Sequence, residues 1–123
     1  DRVKDGDIVI VHTGHAAKYA YGPGASMEKY HEDYPGMHHD TPIWFIEKGV
    51  KLVGTDTQNV DMDETLSAHI NFLLGGWVGK PIIQIVENLA NLERIPVSRF
   101  TFIGLPLPIV GGSGSPIRAV AVV

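Results

Sequence analysis

TPIWFIEKGVKLVGTDT, residues 41–57, turns from a helical to a strand pattern within a few residues. Thr41 suits an N-cap, Pro42 the first helical position and Gly49 the position just past a helix end, with apolar Ile43, Trp44 and Ile46 between them. VKLVGTD, residues 50–56, then reads as a strand that ends in polar Thr55, Asp56 and Thr57. Upstream, DIVIVH, residues 7–12, is a second buried strand introduced by Gly6. Strand, helix and strand predict a βαβ unit, and polar residues at the end of its second strand are expected beside a pocket.

The flanks extend this reading. Residues 13–39 hold glycines, tyrosines, two prolines and four histidines, which predicts a long loop that walls a site. After Asp61 or Asp63 as a cap, ETLSAHINFLL, residues 64–74, fits a helix with Leu66, His69, Ile70 and Leu73 on its inward face. A buried strand over 81–87 and a helical turn through ANLERI follow, ended by Pro96. RFTFIGLPL and SPIRAVAVV add two β segments around the glycine-rich GGSGS. The expectation is one mixed α/β domain over residues 1–123.

Composition narrows the function. A formal charge of -4 without a basic block argues against a nucleic-acid or anionic-membrane surface. The absence of cysteine excludes disulfides, thiolate metal sites and a cysteine nucleophile, leaving histidine and carboxylate as metal ligands. No apolar run reaches the roughly 18 residues of a membrane span, and DRVKDGD has no signal-peptide pattern, so a cytoplasmic protein is expected.

Within AHINFLLGGWVGKPIIQIVENL, residues 68–89, one imidazole and one carboxylate stand among apolar neighbours. The ordinary reading of His69 is a core histidine satisfied by backbone or water. Glu87, preceded by Ile82, Ile83, Ile85 and Val86, is costlier, because a buried carboxylate must find a partner or take up a proton. A metal answers both, since imidazole and carboxylate suit zinc or manganese. Pairing of Glu87 with Arg94 or Arg118 is the structural alternative.

The order GDIVIVHTG, YPGM, WFIEKGVKLVGTDTQNVD, AHINFLL, IVENLANLERIP and FTFIGLPLPIVGGSGSPIRAVAV resembles the C-terminal part of the cyclase family of metal-dependent hydrolases, which includes kynurenine formamidase and isatin hydrolase. The resemblance implies the swivelling β/β/α fold of that family, and a divalent metal, zinc or manganese, held in part by His69 and Glu87. It also implies cleavage of the C–N bond of a small amide, formamide or lactam by metal-activated water, with no protein nucleophile. His15, Tyr19, Tyr21 and Trp77 are expected to contact substrate, and Asp56, Thr57 and Gln58 to orient the site from behind. GGWVGKP departs from the shorter family members as an insertion.

The family's ligand signature, HxGTHxDxPxH, is missing. VHTGHA, residues 11–16, sits where the family has a strand end, and HHDTP, residues 38–42, reads as two exposed histidines before a cap. His31 reads as a solvated loop residue. A partner chain or N-terminal half carrying the signature is therefore expected, in a homo- or hetero-oligomer, and the isolated chain is expected to associate through exposed strand edges. The alternatives are a non-catalytic assembly partner or truncated pseudoenzyme, and a nucleotide-binding module using YGPGAS, which lacks a GK[ST] sequence and stands well beyond its strand.

Overall fold

The computed structural model describes residues 2–75 and 79–123. The chain divides into two compact units, one running to Glu93 and the other from Arg94 to Val123.

The first unit is built on a parallel sheet of order β1-β2-β3, formed by β1 (Ile8–Val11), β2 (Leu52–Thr55) and β3 (Gln84–Val86). Val9 pairs with Val53 and Val53 with Ile85, so the central strand meets a neighbour on each edge. All four β2 residues are buried, as expected of a parallel strand covered on both faces. Between β1 and β2 come α1 (His15–Tyr19), α2 (Met27–His31) and α3 (Thr41–Glu47), so the long segment read as loop holds two short helices. Their five residues each are too few for periodicity to announce them. Ser26 caps α2 by accepting from Lys29 N–H at 3.4 Å.

The N-cap of α3 is Asp40, one residue before the position expected. Its end follows the sequence: Gly49 adopts φ 70, Gly49 N–H donates to Ile46 O at 3.0 Å, and Val50 N–H to Phe45 O at 3.2 Å. This is the paired closure that a left-handed glycine allows after a helix.

From β2 the chain passes through α4 (Ser67–Leu73) to β3. The inward face differs from the expected one. Ala68 and Phe72 are buried, while Leu66, Ile70 and Leu73 are exposed and His69 is partly buried. Phe72 joins Phe45, Val50, Val53, Val60, Ala68 and Ile83 in the core, its ring 6.2 Å from that of Phe45. Periodicity shows that the segment is a helix, but apolar residues on more than one face leave its rotation open.

Gly36 brings two loops together. Met37 N–H donates to Val60 O at 2.7 Å and Met37 forms a parallel bridge with Asp61. A Cβ on Gly36 would stand 2.3 Å from Met62 N and 2.4 Å from the carbonyl carbon of Asp61. Gly36→Ala is expected to lower stability by about 1–3 kcal/mol by forcing the loops apart; an unchanged thermal melt would contradict this contact.

The second unit is an antiparallel hairpin of β4 (Thr101–Pro106) and β5 (Ile117–Val122), with Thr101 opposite Val122 and Pro106 opposite Ile117. No residue from 94 to 123 is buried, and Leu105, Leu107, Ile109 and Val110 are exposed. A short 3-10 turn, Leu92–Arg94, stands where the helical turn was expected. Among the described residues, no helix is long and apolar enough to cross a membrane.

Candidate metal centre

The C-terminal ends of the three parallel strands point the chain toward a common edge, where two polar clusters form. The first surrounds Asp56, immediately after β2 and 1% exposed. Its carboxylate accepts from Thr13 N–H at 2.9 Å, Thr13 Oγ1 at 2.7 Å and Gly14 N–H at 2.9 Å. Asp56 thus ties the turn after β1 to the end of β2. Thr55 and Thr57 are buried too, their hydroxyls 2.9 Å apart. The buried Tyr30 hydroxyl lies 3.1 Å from Asp56 O and 2.8 Å from Asn88 Oδ1. Burial pushes that hydroxyl's pKa up, with the carboxylates of Asp56 and Glu87 adding to the effect, so it remains a donor at neutral pH.

The second cluster contains the two residues singled out as ligands. Glu87 directly follows β3, and its Oε1 accepts from Val60 N–H at 2.9 Å. His69, in the first turn of α4, places Nε2 3.8 Å from the same Oε1. Its Nδ1 lies 2.5 Å from Asp61 Oδ2. Asp61, 1% exposed, also accepts from Ala68 N–H at 2.5 Å and His69 N–H at 3.3 Å. The N-cap of α4 is Leu66, in the left-handed region with φ 51 and without a side-chain cap bond, so Asp61 serves the helix start from outside it.

An ionised carboxylate can only accept, so Asp61 requires the hydrogen of a neutral His69 on Nδ1 and leaves the lone pair on Nε2. That lone pair and Glu87 Oε1 are then two electron donors 3.8 Å apart. Two ligand atoms each about 2.0–2.2 Å from a zinc-sized ion stand no more than roughly 4.3 Å apart, so the pair fits a shared cation. A carboxylate on the far ring nitrogen is the usual support of a metal-binding histidine. Burial raises the Glu87 pKa, Asp61 raises it further, and Val60 N–H and His69 oppose the shift. A cation at this position would favour the ionised form.

The other expected site residues lie in different surroundings. His15 is buried, with Nε2 2.9 Å from Tyr30 O and its ring 5.0 Å from that of Tyr19. Tyr21 is exposed; its hydroxyl accepts from Asn91 N–H at 2.8 Å and donates to Glu93 at 3.0 Å. Gln58 pairs with His31 through its Oε1 and donates to His31 O at 3.2 Å. Trp77 lies outside the described residues. His12 follows β1 directly and is exposed. YGPGAS occupies the connection between α1 and α2, away from any strand-to-helix turn.

Two residues of these clusters are not marked out by the sequence. Asp61 reads there only as a cap, and its bond to the His69 ring comes from the fold. Tyr30 stands beside His31, and nothing in YHEDY says which ring turns inward.

The parallel sheet thus gathers polar residues at its strand ends, with a histidine–carboxylate pair beside them, in an α/β architecture. The family model "Putative cyclase" matches residues 1–62, and the chain belongs to the cyclase family. Kynurenine formamidase of Sphingopyxis alaskensis is 36% identical over 95 residues, covering 76% of this chain and 42% of that protein. Kynurenine formamidase of Salinibacter ruber is 43% identical over 83 residues, 66% of this chain and 36% of that protein. A solved structure described as a potential metal-dependent hydrolase with cyclase activity superposes with a TM-score of 0.76 and 22% identity, over 97% of this chain and 52% of that one. The likeness bears out the expected α/β cyclase fold. The chain spans about two fifths of the length of the curated relatives it matches.

Proposed function

We propose that this chain supplies His69 and Glu87 to the divalent-metal site of a hydrolase that cleaves the C–N bond of a small amide, formamide or lactam. The observation that carries the reading is the Asp61–His69–Glu87 arrangement, in which a carboxylate fixes one ring nitrogen and the other faces Glu87 at 3.8 Å. The likeness to kynurenine formamidases supports the reaction class. A divalent cation, zinc or manganese, supplies a Lewis acid that polarises a carbonyl and makes water more acidic. His69 and Glu87 hold the ion, Asp61 sets the tautomer and direction of His69, and Val60 N–H steadies the Glu87 oxygen. The remaining ligands come from a further stretch of chain or a partner. Exposed apolar side chains along β4 and β5 suit coverage by that additional protein.

The test is metal analysis and amide hydrolysis on protein that includes the complementing half. A preparation that hydrolyses formamides after complete removal of metal would overturn the proposal.

The raised pKa of Glu87 gives a prediction for metal-free protein. An acid whose pKa is higher folded than unfolded contributes stability below the unfolded value, about 4.3, and loses it as pH rises through the folded value. Metal-free Glu87→Gln is therefore expected to melt at or above the parent near neutral pH, with the gap closing below about pH 4. A variant that melts well below its metal-free parent at neutral pH would mark Glu87 as a structural anion instead.

A further inference from the structure

A second donor set lies outside the His69–Glu87 pair. His38 Nδ1 stands 3.6 Å from Asp40 Oδ2, and His39 Nε2 stands 3.4 Å from Asp40 Oδ1. The two rings lie 3.8 Å apart between centroids, and one ligand atom from each of the three residues falls within 4.8 Å of the others. All three side chains are exposed. We propose that His38, His39 and Asp40 bind a divalent late transition-metal ion, zinc being the test case, at a surface site separate from His69 and Glu87.

Four observations converge on this. First, ligand atoms about 2.1 Å from a tetrahedral ion stand roughly 3.4 Å from one another, and each imidazole nitrogen lies near that distance from one of the two Asp40 carboxylate oxygens. Second, two imidazoles and a carboxylate are a donor set that favours zinc, copper or nickel over magnesium or calcium, whose preferred ligands are all oxygen. Third, the turn that carries these donors is tied on both sides. Met37 is bound to Val60 and bridged to Asp61, Thr41 N–H donates to His38 O at 2.9 Å, and Pro42 is buried at the start of α3. Ordering this turn has therefore already been accomplished by the fold, which lowers the entropic cost of bringing three ligands together. Fourth, Asp63 supplies another negative charge nearby. Its carboxyl is held below the ordinary range chiefly by the Thr65 hydroxyl and amide, with His39 and His38 contributing.

As a set of exposed ion pairs, the same contacts would contribute little to stability and leave no reason for zinc to bind. Asp40 makes no side-chain cap bond to α3, so replacing it does not remove a helix cap.

The experiment is a zinc titration of the whole chain by calorimetry, run in parallel on the parent, on Glu87→Gln, and on Glu87→Gln carrying either His38→Ala/His39→Ala or Asp40→Asn. The histidine NMR signals are followed during each titration. Glu87→Gln isolates the surface site: zinc should still bind it with parent affinity and shift the His38 and His39 resonances. On that background the double histidine change should weaken the binding at least tenfold, and Asp40→Asn should weaken it severalfold, while both keep the metal-free melting temperature of Glu87→Gln. Failure of the His69–Glu87 reading would not affect these outcomes, because they are read with Glu87 already neutralised. Equal zinc affinity in Glu87→Gln with and without the two histidines, or no movement of the His38 and His39 signals, overturns the proposal.

Discussion

Asp61→Ala is expected to lower the melting temperature of the chain by roughly 12–15 °C. The buried carboxylate serves Ala68 N–H, His69 N–H and the His69 ring. Removing an acceptor from buried donors costs about 1–3 kcal/mol each, and loss of a cap typically about 1 kcal/mol. A combined loss of about 3 kcal/mol gives that range for a domain of this size. Asp61→Asn separates the two duties of the side chain. Its amide oxygen can still accept from the helix start, but its NH2 group would face Nδ1 and transfer the ring hydrogen to Nε2, toward Glu87. The asparagine variant should therefore keep much of the stability while metal affinity falls about 10–100-fold, the usual cost of losing such an outer partner. Parent-like affinity in Asp61→Asn would remove Asp61 from the orienting role.

The larger effect on metal is expected from the two proposed ligands. In protein that includes the complementing half, Glu87→Gln and His69→Ala should each reduce affinity by more than about hundredfold, beyond what an outer partner costs. Hydrolysis should fall in step with metal content. The glutamine keeps the size of the side chain and an oxygen for Val60 N–H, so the fold should survive. Undiminished metal in Glu87→Gln would return that residue to a structural role and leave His69 an ordinary, half-buried histidine.

Local signals carried the sheet and the helix between its first strands. Gly6, the β-branched run of β1, Pro42 and Gly49 each constrain their own neighbourhood, and β1, α3 and β2 follow them to within two residues, whereas the buried strand expected over 81–87 is confined to Gln84–Val86 and is only partly buried. The rotation of α4 was less legible. Leu66, Ile70 and Leu73 share the spacing of a core face yet are exposed, because Ala68 and Phe72 fill the space against Phe45 and Ile83. The role of Asp61 depends on a loop closing back onto a helix start seven residues later. No pattern short of the fold reveals that contact. Tyr30 is similar: its partners Asp56 and Asn88 come from the ends of two other strands. His69 and Glu87 stood out for a different reason. Their chemistry is costly among apolar neighbours, and the geometry then places their donor atoms face to face.

The hairpin of β4 and β5 has a consequence for the order in which the molecule assembles. The first unit closes around Phe45, Val53, Phe72 and Ile83 without any residue beyond Glu93. The hairpin buries no residue, and an isolated two-stranded ribbon is only marginally stable in water. Its local opening free energy should therefore sit near the bottom of the molecule's range, so that amide protons of β4 and β5 exchange long before those of β2. On this footing β4 and β5 are expected to order after the strand ends that hold Asp56 and Glu87.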